Sequence, residues 1–169
     1  MVAYRQILAT LSPSDKRGSV MPTSDPRAVL ERLYDALNRH NLDDFCAVLS
    51  EDCVDHGDPG GTIGRAAMRQ HIGAFLSAFP DLHTSLDQVI VASDGEMVGS
   101  RTTTTGTHQN ALMGIPPTGR PIRVPGVDMA RLSGGLIAER WGGLDTFSLL
   151  QQLGVVGAPS SAPAASSAG

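Results

Sequence analysis

Apolar residues in the stretch from residue 25 to residue 79 recur every three to four positions, the spacing of a helix that buries one face. Asp25 followed by Pro26 marks a helix start, because aspartate accepts hydrogen bonds from free backbone N–H groups and proline fits the first turn. This helix is predicted to end near His40, a second to cover residues 42–49, and a third residues 64–79. Their apolar stripes are Val29, Leu30, Leu33, Tyr34 and Leu37; Leu42, Phe45, Cys46 and Leu49; and Met68, Ile72, Phe75, Leu76 and Phe79.

After Pro80, which ends the third helix, the apolar period falls to about 2, as in a strand with one buried face. A brief strand near Cys53 precedes the third helix, and a short helix over Thr146–Leu153 closes the pattern. Helices followed by a sheet make an α+β fold, in which a curved antiparallel sheet wraps around three N-terminal helices and leaves an internal pocket. Four long strands are predicted, over residues 82–92, 96–108, 120–132 and 136–145.

The two ends of the chain differ in composition from its middle. From Val155 onward the sequence is Ala, Ser, Pro and Gly without charge, so residues 155–169 bury too little surface to fold and are expected to be disordered. Residues 1–23 are expected to be a disordered extension or a mis-assigned start, with Met21 as the alternative initiator. Residues 24–154 are predicted to form one folded domain.

Composition narrows the classes of function. The 169-residue chain carries 13 Lys and Arg against 17 Asp and Glu, a formal charge of −4 without a basic cluster, so nucleic acid and anionic membranes are poor partners. It has neither an 18-residue apolar run nor a signal sequence, which predicts a cytoplasmic protein. Its two cysteines, Cys46 and Cys53, fit neither a disulfide framework nor a zinc site and are expected to be buried thiols.

Asp128 is the most informative position of the strand over residues 120–132. An ionised carboxylate on an apolar face is unfavourable, so it pairs with a cation, stays protonated or lines a wet cavity. Two alternatives follow: a general acid or base in contact with a ligand, or a structural ion pair with Arg140 or Arg101. The residues on its face of the strand are Ile122, Val124, Gly126, Ala130 and Leu132.

Two histidines lie near the predicted pocket. His108 ends a strand at the predicted mouth of the sheet, where a neutral imidazole exchanges protons near neutral pH; the alternative is a surface or capping histidine. His56 lies in the polar segment Asp55-His56-Gly57-Asp58, for which turn chemistry is the alternative. With Asp58, the two histidines have the ligand types of an iron site, but such sites belong to larger double-sheet barrels, so no metal is expected.

Other features carry less information. Trp141, the single tryptophan, fits either the core or a ligand platform. The run Arg101-Thr102-Thr103-Thr104-Thr105 is explained mostly by strand propensity and is given little function. No GxSxG, Walker or Rossmann motif is present, so the sequence offers no serine nucleophile elbow and no nucleotide-binding loop.

Four segments resemble the SnoaL-like polyketide cyclase (ester cyclase) family over essentially residues 26–154. The resemblance implies the nuclear-transport-factor-like α+β cone, a barrel-like fold with an internal pocket. It also implies intramolecular aldol ring closure without cofactor or metal, an acidic residue in an apolar cavity, and homodimers or larger homo-oligomers formed through the sheet. The segments are Gly106-Thr107-His108-Gln109, Met113-Gly114-Ile115-Pro116-Pro117-Thr118-Gly119-Arg120, Gly126-Val127-Asp128-Met129-Ala130-Arg131 and Trp141-Gly142-Gly143-Leu144-Asp145.

The resemblance also assigns positions. The catalytic aspartate of the family's cyclases corresponds to Gly142, so that aspartate is absent, and the histidine of their preceding strand corresponds to Asp128. Their asparagine after the second helix falls near Asp55 or His56, and the histidine before the GIPPTG loop matches His108. These correspondences leave two alternatives. Either the pocket keeps its acid and base groups but takes them from other positions than the family's cyclases do, or it has lost the aldol chemistry.

The sequence therefore predicts a cofactor-independent enzyme for a hydrophobic, polyketide-like small molecule. Asp128 is the predicted acid or base, and His108 and His56 are the predicted donors or proton relays. Alternatives are an epoxide hydrolase or epoxide-opening cyclase, in which a second acid protonates the leaving oxygen, and a binding module without catalysis. The predicted substrate-binding residues are Asp55, Phe79, Met113, Arg140, Trp141 and Asp145.

Overall fold

The computed structural model describes residues 25–57 and 60–157. The predictions for residues 1–23 and for almost all of the C-terminal tail lie outside these residues. Within them, no helix has both the length and the apolarity needed to cross a bilayer.

Four helices begin at side chains or glycines that suit a helix start. Asp25 caps the first helix by accepting a hydrogen bond from the Arg27 N–H at 3.0 Å, as the sequence predicted. Asn41 and Asp145 cap the second and fourth in the same way, and Gly64 precedes the third. The second helix is shorter than predicted, because the chain enters a strand at Leu49. The helices are α1 (Pro26–Asn38), α2 (Leu42–Ala47), α3 (Arg65–Ala78) and α4 (Thr146–Leu153).

The described residues form one six-stranded sheet in the order β2-β1-β6-β5-β4-β3. The four long strands run antiparallel to one another and end within two residues of their predicted bounds. The sheet as a whole is mixed rather than antiparallel, because β1 pairs in parallel with β6. The two edge strands, β2 and β3, do not pair, so the curved sheet is not a closed barrel. The strands are β1 (Leu49–Asp55), β2 (Ile63–Gly64), β3 (His83–Val91), β4 (Met97–Thr107), β5 (Pro121–Ser133) and β6 (Leu136–Leu144).

The inner face of the sheet packs against the helices. Along β5 the even-numbered residues from 122 to 132 are buried and the odd-numbered residues from 121 to 129 are exposed, as alternation predicts. One apolar cluster joins α1, α2 and β1 to the centre of the sheet, and a second joins the end of α3 and α4 to β5. The α+β prediction is confirmed. Between the helices and the inner face the packing leaves a cavity.

Candidate active site

The cavity lies between α1, α3 and the inner face of β4, β5 and β6, and its volume is about 630 Å³. This volume lies within the range of small-molecule sites, roughly 300 to 1,000 Å³. Four polar or charged side chains meet on one wall: Tyr34, Asp55, Asp128 and Arg140. Apolar side chains dominate the rest, among them Leu37, Ile63, Met68, Ile72, Phe75, Leu82, Leu112, Leu144 and Leu149.

Arg140 joins the two carboxylates of this wall. Its Nη1 donates to Asp55 Oδ2 at 3.0 Å, and its Nη2 donates to Asp128 Oδ1. The exposed fractions of the three side chains are 15% for Arg140, 9% for Asp55 and 11% for Asp128, so water screens the ion pairs only partly. The ion pair that the sequence offered as an alternative for Asp128 is therefore present, with Arg140. The same carboxylate also lines the cavity, so pairing and ligand contact coexist.

Arg140 stays protonated in this site. Burial alone would lower the pKa of this guanidinium, but the negative charges of Asp128 and Asp55 outweigh burial and raise the pKa above its ordinary value. The guanidinium is thus a permanent cation whose planar fork fixes both carboxylates.

Tyr34 connects the helix layer to the same carboxylate. Its hydroxyl donates to Asp128 Oδ2 at 2.9 Å and lies 3.5 Å from Ser100 Oγ. Burial, and after it the negative charge of Asp128, raise the pKa of Tyr34 above its usual value. The hydroxyl therefore stays protonated at neutral pH and holds Asp128 from the side opposite Arg140.

The end of β1 brings Asp55 to Arg140. The two residues are Cα partners in the parallel pair of β1 and β6, and the His56 N–H donates to the Arg140 carbonyl at 2.9 Å. The Gly57 N–H then donates to Asp55 Oδ1 at 2.8 Å. A Cβ atom at Gly57 would lie 1.9 Å from the carbonyl oxygen of Gly142, so only glycine allows this approach.

Gly142 lines the cavity at the position where the resemblance places the family's aspartate. Its φ of 103° lies in the region that favours glycine, and a Cβ atom there would lie 2.1 Å from the Val127 carbonyl oxygen. This backbone does not accommodate an aspartate. The nearest acid is Asp128, the Cα partner of Gly142 on β5.

The two predicted histidines are not on the cavity wall. His108 is fully buried beside Phe79, with 5.2 Å between the ring centroids, rather than at the mouth of the sheet. His56 is exposed and stacks on Trp141 at 5.1 Å and an interplanar angle of 6°. Trp141 alternates with Arg140 along β6 and so points to the outer face of the sheet. A catalytic role for these histidines stays a prediction.

Apart from Trp141 on the outer face, the predicted substrate-binding residues divide into two groups. Asp55, Arg140 and Met113 line the cavity. Phe79 is fully buried in the core against Phe75, and Asp145 caps α4 by accepting a hydrogen bond from the Ser148 N–H at 3.0 Å. Both have structural roles that place them away from the described lining.

Sequence reasoning missed several polar lining residues. Tyr34 was assigned only to the apolar stripe of α1, yet a hydroxyl inside such a stripe is itself a signal that a buried partner is present. His71 continues the stripe of α3 at three residues from Met68 and lines the cavity. Thr102 and Thr104 of the threonine run face the cavity as well, and the Thr104 hydroxyl lies 2.9 Å from that of Thr84.

The described residues contain no group of three or more His, Cys, Asp or Glu side chains arranged to hold a metal ion. Asp58, which the iron-site alternative requires, lies outside these residues. The pair formed by His56 and His108 is also split, since the former is exposed beside Trp141 and the latter is enclosed by the core.

Comparisons with known proteins agree with this architecture. The family model described as SnoaL-like polyketide cyclase matches residues 27–153. IdmH of Streptomyces antibioticus, described as a proposed polyketide cyclase, is 30% identical with a TM-score of 0.67, over 76% of this chain and 98% of its own. AclR of Streptomyces galilaeus, described as a proposed hydroxylase, is 28% identical with a TM-score of 0.70, over 78% of this chain and 96% of its own. No protein of curated function matches the sequence.

Proposed function

Because the chain belongs to the SnoaL-like polyketide cyclase family, we propose that it closes a ring in a hydrophobic, polyketide-like small molecule by general acid/base catalysis. The observation that carries the proposal is the Asp128 carboxylate on the polar wall of a largely apolar cavity, held by Tyr34 and Arg140. A carboxylate so held is oriented before a substrate arrives, which is what proton transfer requires.

In the proposed reaction Asp128 is the base. It takes the proton from a carbon next to a carbonyl group, and the resulting enolate adds to a second carbonyl of the same molecule. One carbon–carbon bond forms, and the new alkoxide takes the proton back from the Asp128 carboxyl group. Each oxygen of Asp128 accepts one hydrogen bond from the described residues and keeps a second lone pair, so a position for the substrate proton remains.

The other wall residues support this role. Arg140 and Tyr34 fix the plane of the carboxylate, and the apolar lining excludes water, which strengthens electrostatic interactions inside the cavity. The apolar lining also favours a hydrophobic substrate, because the binding free energy at this lining comes from the burial of apolar substrate surface. The cyclization needs no redox partner, because no atom of the substrate is oxidised or reduced overall.

The test replaces Asp128 by asparagine, which keeps the shape and removes the base. Asp87→Asn is the matched control, because Asp87 also pairs with an arginine, Arg101 at 3.5 Å, and accepts from a hydroxyl, Thr103 at 2.7 Å. A panel of polyketide methyl esters is followed by mass spectrometry, where ring closure gives an isomer or its dehydrated product. Asp128→Asn is expected to lose about 10²- to 10⁴-fold in kcat, the usual worth of a positioned base.

Activity of Asp128→Asn within threefold of wild type would overturn the proposal. If neither protein turns over any member although both bind several of them, a ligand-binding module without catalysis is the better description.

Epoxide opening is a second candidate, favoured by the second carboxylate. Arg140 bridges Asp128 and Asp55, so two carboxyl groups lie together on the cavity wall. Asp128 would take a proton from water or a substrate hydroxyl as a carbon–oxygen bond forms. This route requires a second acid that gives a proton to the epoxide oxygen as the ring bond breaks, and Asp55 is the carboxyl group placed to serve as that acid. Hydroxy-epoxides in ¹⁸O-labelled water separate the routes, since hydrolysis incorporates the label and intramolecular opening does not.

A further inference from the structure

Residues 109–119 connect β4 to β5 and form part of the cavity wall; we call this segment the strap. Its first residues are tied to the end of α3, where the N–H groups of Gln109 and Asn110 donate to the Ala78 carbonyl at 2.9 and 3.2 Å. At its tip, Leu112 and Ile115 exchange two backbone hydrogen bonds of 3.0 and 2.8 Å around a two-residue turn. The strap contributes Ala111, Leu112 and Met113 to the cavity lining.

His108 closes the base of the strap. Its N–H donates to the Arg120 carbonyl at 3.0 Å, and its own carbonyl accepts from the Gly119 N–H at 2.9 Å. Its ring adds a third connection, because Nδ1 accepts from the Thr118 N–H at 3.2 Å and lies 3.1 Å from the Thr118 hydroxyl. Backbone and side chain of one residue thus join both ends of the strap.

These bonds fix the tautomer of the ring. A nitrogen that accepts from a backbone N–H carries no hydrogen, so in the neutral imidazole the hydrogen is on Nε2. That Nε2 is buried without a hydrogen-bond partner among the described residues. Nδ1, the only ring nitrogen with a hydrogen bond among the described residues, is therefore engaged by Thr118 of the strap. The ring as a whole lies outside the described cavity lining.

We infer that His108 is a positioning residue that anchors the strap, so that Leu112 and Met113 form one wall of the cavity and set its opening. The side chain of Met113 is 81% exposed at the tip, on a residue whose φ of 50° is unusual for a side chain other than glycine or asparagine. A flexible thioether held there contacts ligands of varied shape. The inference concerns ligand fit and holds whether or not Asp128 performs catalysis.

Two substitutions of similar polarity separate anchoring from proton transfer. In His108→Asn the amide oxygen takes the place of Nδ1 and still accepts from Thr118, whereas in His108→Gln the amide lies near the place of Nε2 and leaves Thr118 without its acceptor. The readouts are hydrogen–deuterium exchange of the strap peptide and the fluorescence-measured Kd of 1-N-phenylnaphthylamine, a neutral apolar probe. His108→Asn is expected to stay within twofold of wild type in both.

His108→Gln is expected to exchange about tenfold faster in the strap and to bind the probe about tenfold more weakly, the effect of one lost buried hydrogen bond. Met113→Ala is expected to change the probe Kd and leave strap exchange unchanged. Equal losses in His108→Asn and His108→Gln would overturn the inference, and so would an unchanged probe Kd in both His108→Gln and Met113→Ala.

If the histidine variants do not fold, a measurement on the wild-type protein still tests the inference. The ¹⁵N chemical shifts of the His108 ring are expected to report hydrogen on Nε2 and none on Nδ1; the opposite tautomer overturns the inference. Asp87→Asn, outside the described cavity lining, serves as the control, with strap exchange and probe Kd expected to equal those of wild type. Neither readout depends on turnover, so a failure of the acid/base proposal would leave both strap measurements unchanged.

Discussion

Asp128 and Gly142 are Cα partners across the pair of β5 and β6, and both line the cavity. The resemblance places the family's catalytic aspartate at Gly142, so the Asp128 carboxylate stands directly opposite that position, on the neighbouring strand. Two positions that face each other across a sheet present side chains to the same space. A carboxylate can therefore serve the same cavity from either strand.

Restoring an acid at position 142 is expected to fail. In Gly142→Asp the new Cβ atom meets the Val127 carbonyl oxygen at 2.1 Å, on a residue whose φ is 103°. Gly134→Asp is the matched control, because Gly134 also has a positive φ, 59°, but open space around its Cβ position. The control is expected to cost about 1 kcal/mol of unfolding free energy, and Gly142→Asp at least about 2 kcal/mol more, without gain in activity. Urea unfolding measures both, and equal losses would contradict the clash.

Tyr34→Phe removes the hydroxyl that holds Asp128. Loss of a buried hydrogen bond to a charged acceptor is expected to cost about 1.5 to 3 kcal/mol at pH 7. It is also expected to lower kcat more than it raises KM, because the carboxylate becomes less well oriented. Steady-state kinetics of both proteins on any panel ester that reacts measures the change in kcat and the change in KM separately.

The same variant tests the raised pKa of Tyr34. A group whose pKa is raised on folding contributes stability that is complete below its unfolded pKa, 10.0 here, and is lost as the pH rises toward its folded value. Wild type should therefore lose stability above about pH 10, and its advantage over Tyr34→Phe should shrink. Burial also raises the pKa of Cys53 to about 11, but this residue is present in both proteins and cancels in the comparison. A constant difference from pH 8 to pH 11 would contradict the prediction.

Much of the fold was predictable from the sequence because its signals are local. The glycine turns at residues 93–95 and 133–135 separate alternating strands, so β3 to β6 were placed within two residues. The parallel pairing of β1 with β6 was not predictable, since it joins segments about 85 residues apart that no local pattern connects.

The part of the site on β5 was predictable, because a charged residue interrupts the apolar face of that strand. Asp128 stood out as a carboxylate among apolar neighbours, and Arg140 followed from its place on the next strand. The contact between Tyr34 and Asp128 was not predictable, because a tyrosine is common in the apolar stripe of a helix and does not stand out there. His108 was misplaced because the end of a strand gives no information on what covers it, and here the core around Phe79 encloses the ring.

Arg140→Met is expected to be among the most destabilising changes on the cavity wall. It leaves Asp55 and Asp128 without their shared cation in a largely buried site, which costs about 3 to 5 kcal/mol. Arg131→Met is the matched control, because Arg131 pairs with Glu139 at 3.2 Å on a half-exposed surface, where one pair is worth at most about 1 kcal/mol. Arg140→Lys should fall between them, since an ammonium keeps the charge but not the planar fork. Equal unfolding free energies for the two methionine variants would contradict this account.

The outer face of the sheet is the proposed dimer interface. Ile90, Gly99, Met129 and Trp141 are successive Cα partners across four strands, and Ile90 and Met129 are 65% and 50% exposed. The apolar side chains of this row, Ile90, Met129 and Trp141, lose unfavourable hydration when a second copy covers them. Met129→Glu is therefore expected to convert a dimer to monomers in light scattering, whereas Met113→Glu, at the exposed tip of the strap, should leave the dimer intact. A monomeric wild-type protein, or dissociation by both substitutions alike, would exclude this face as the interface.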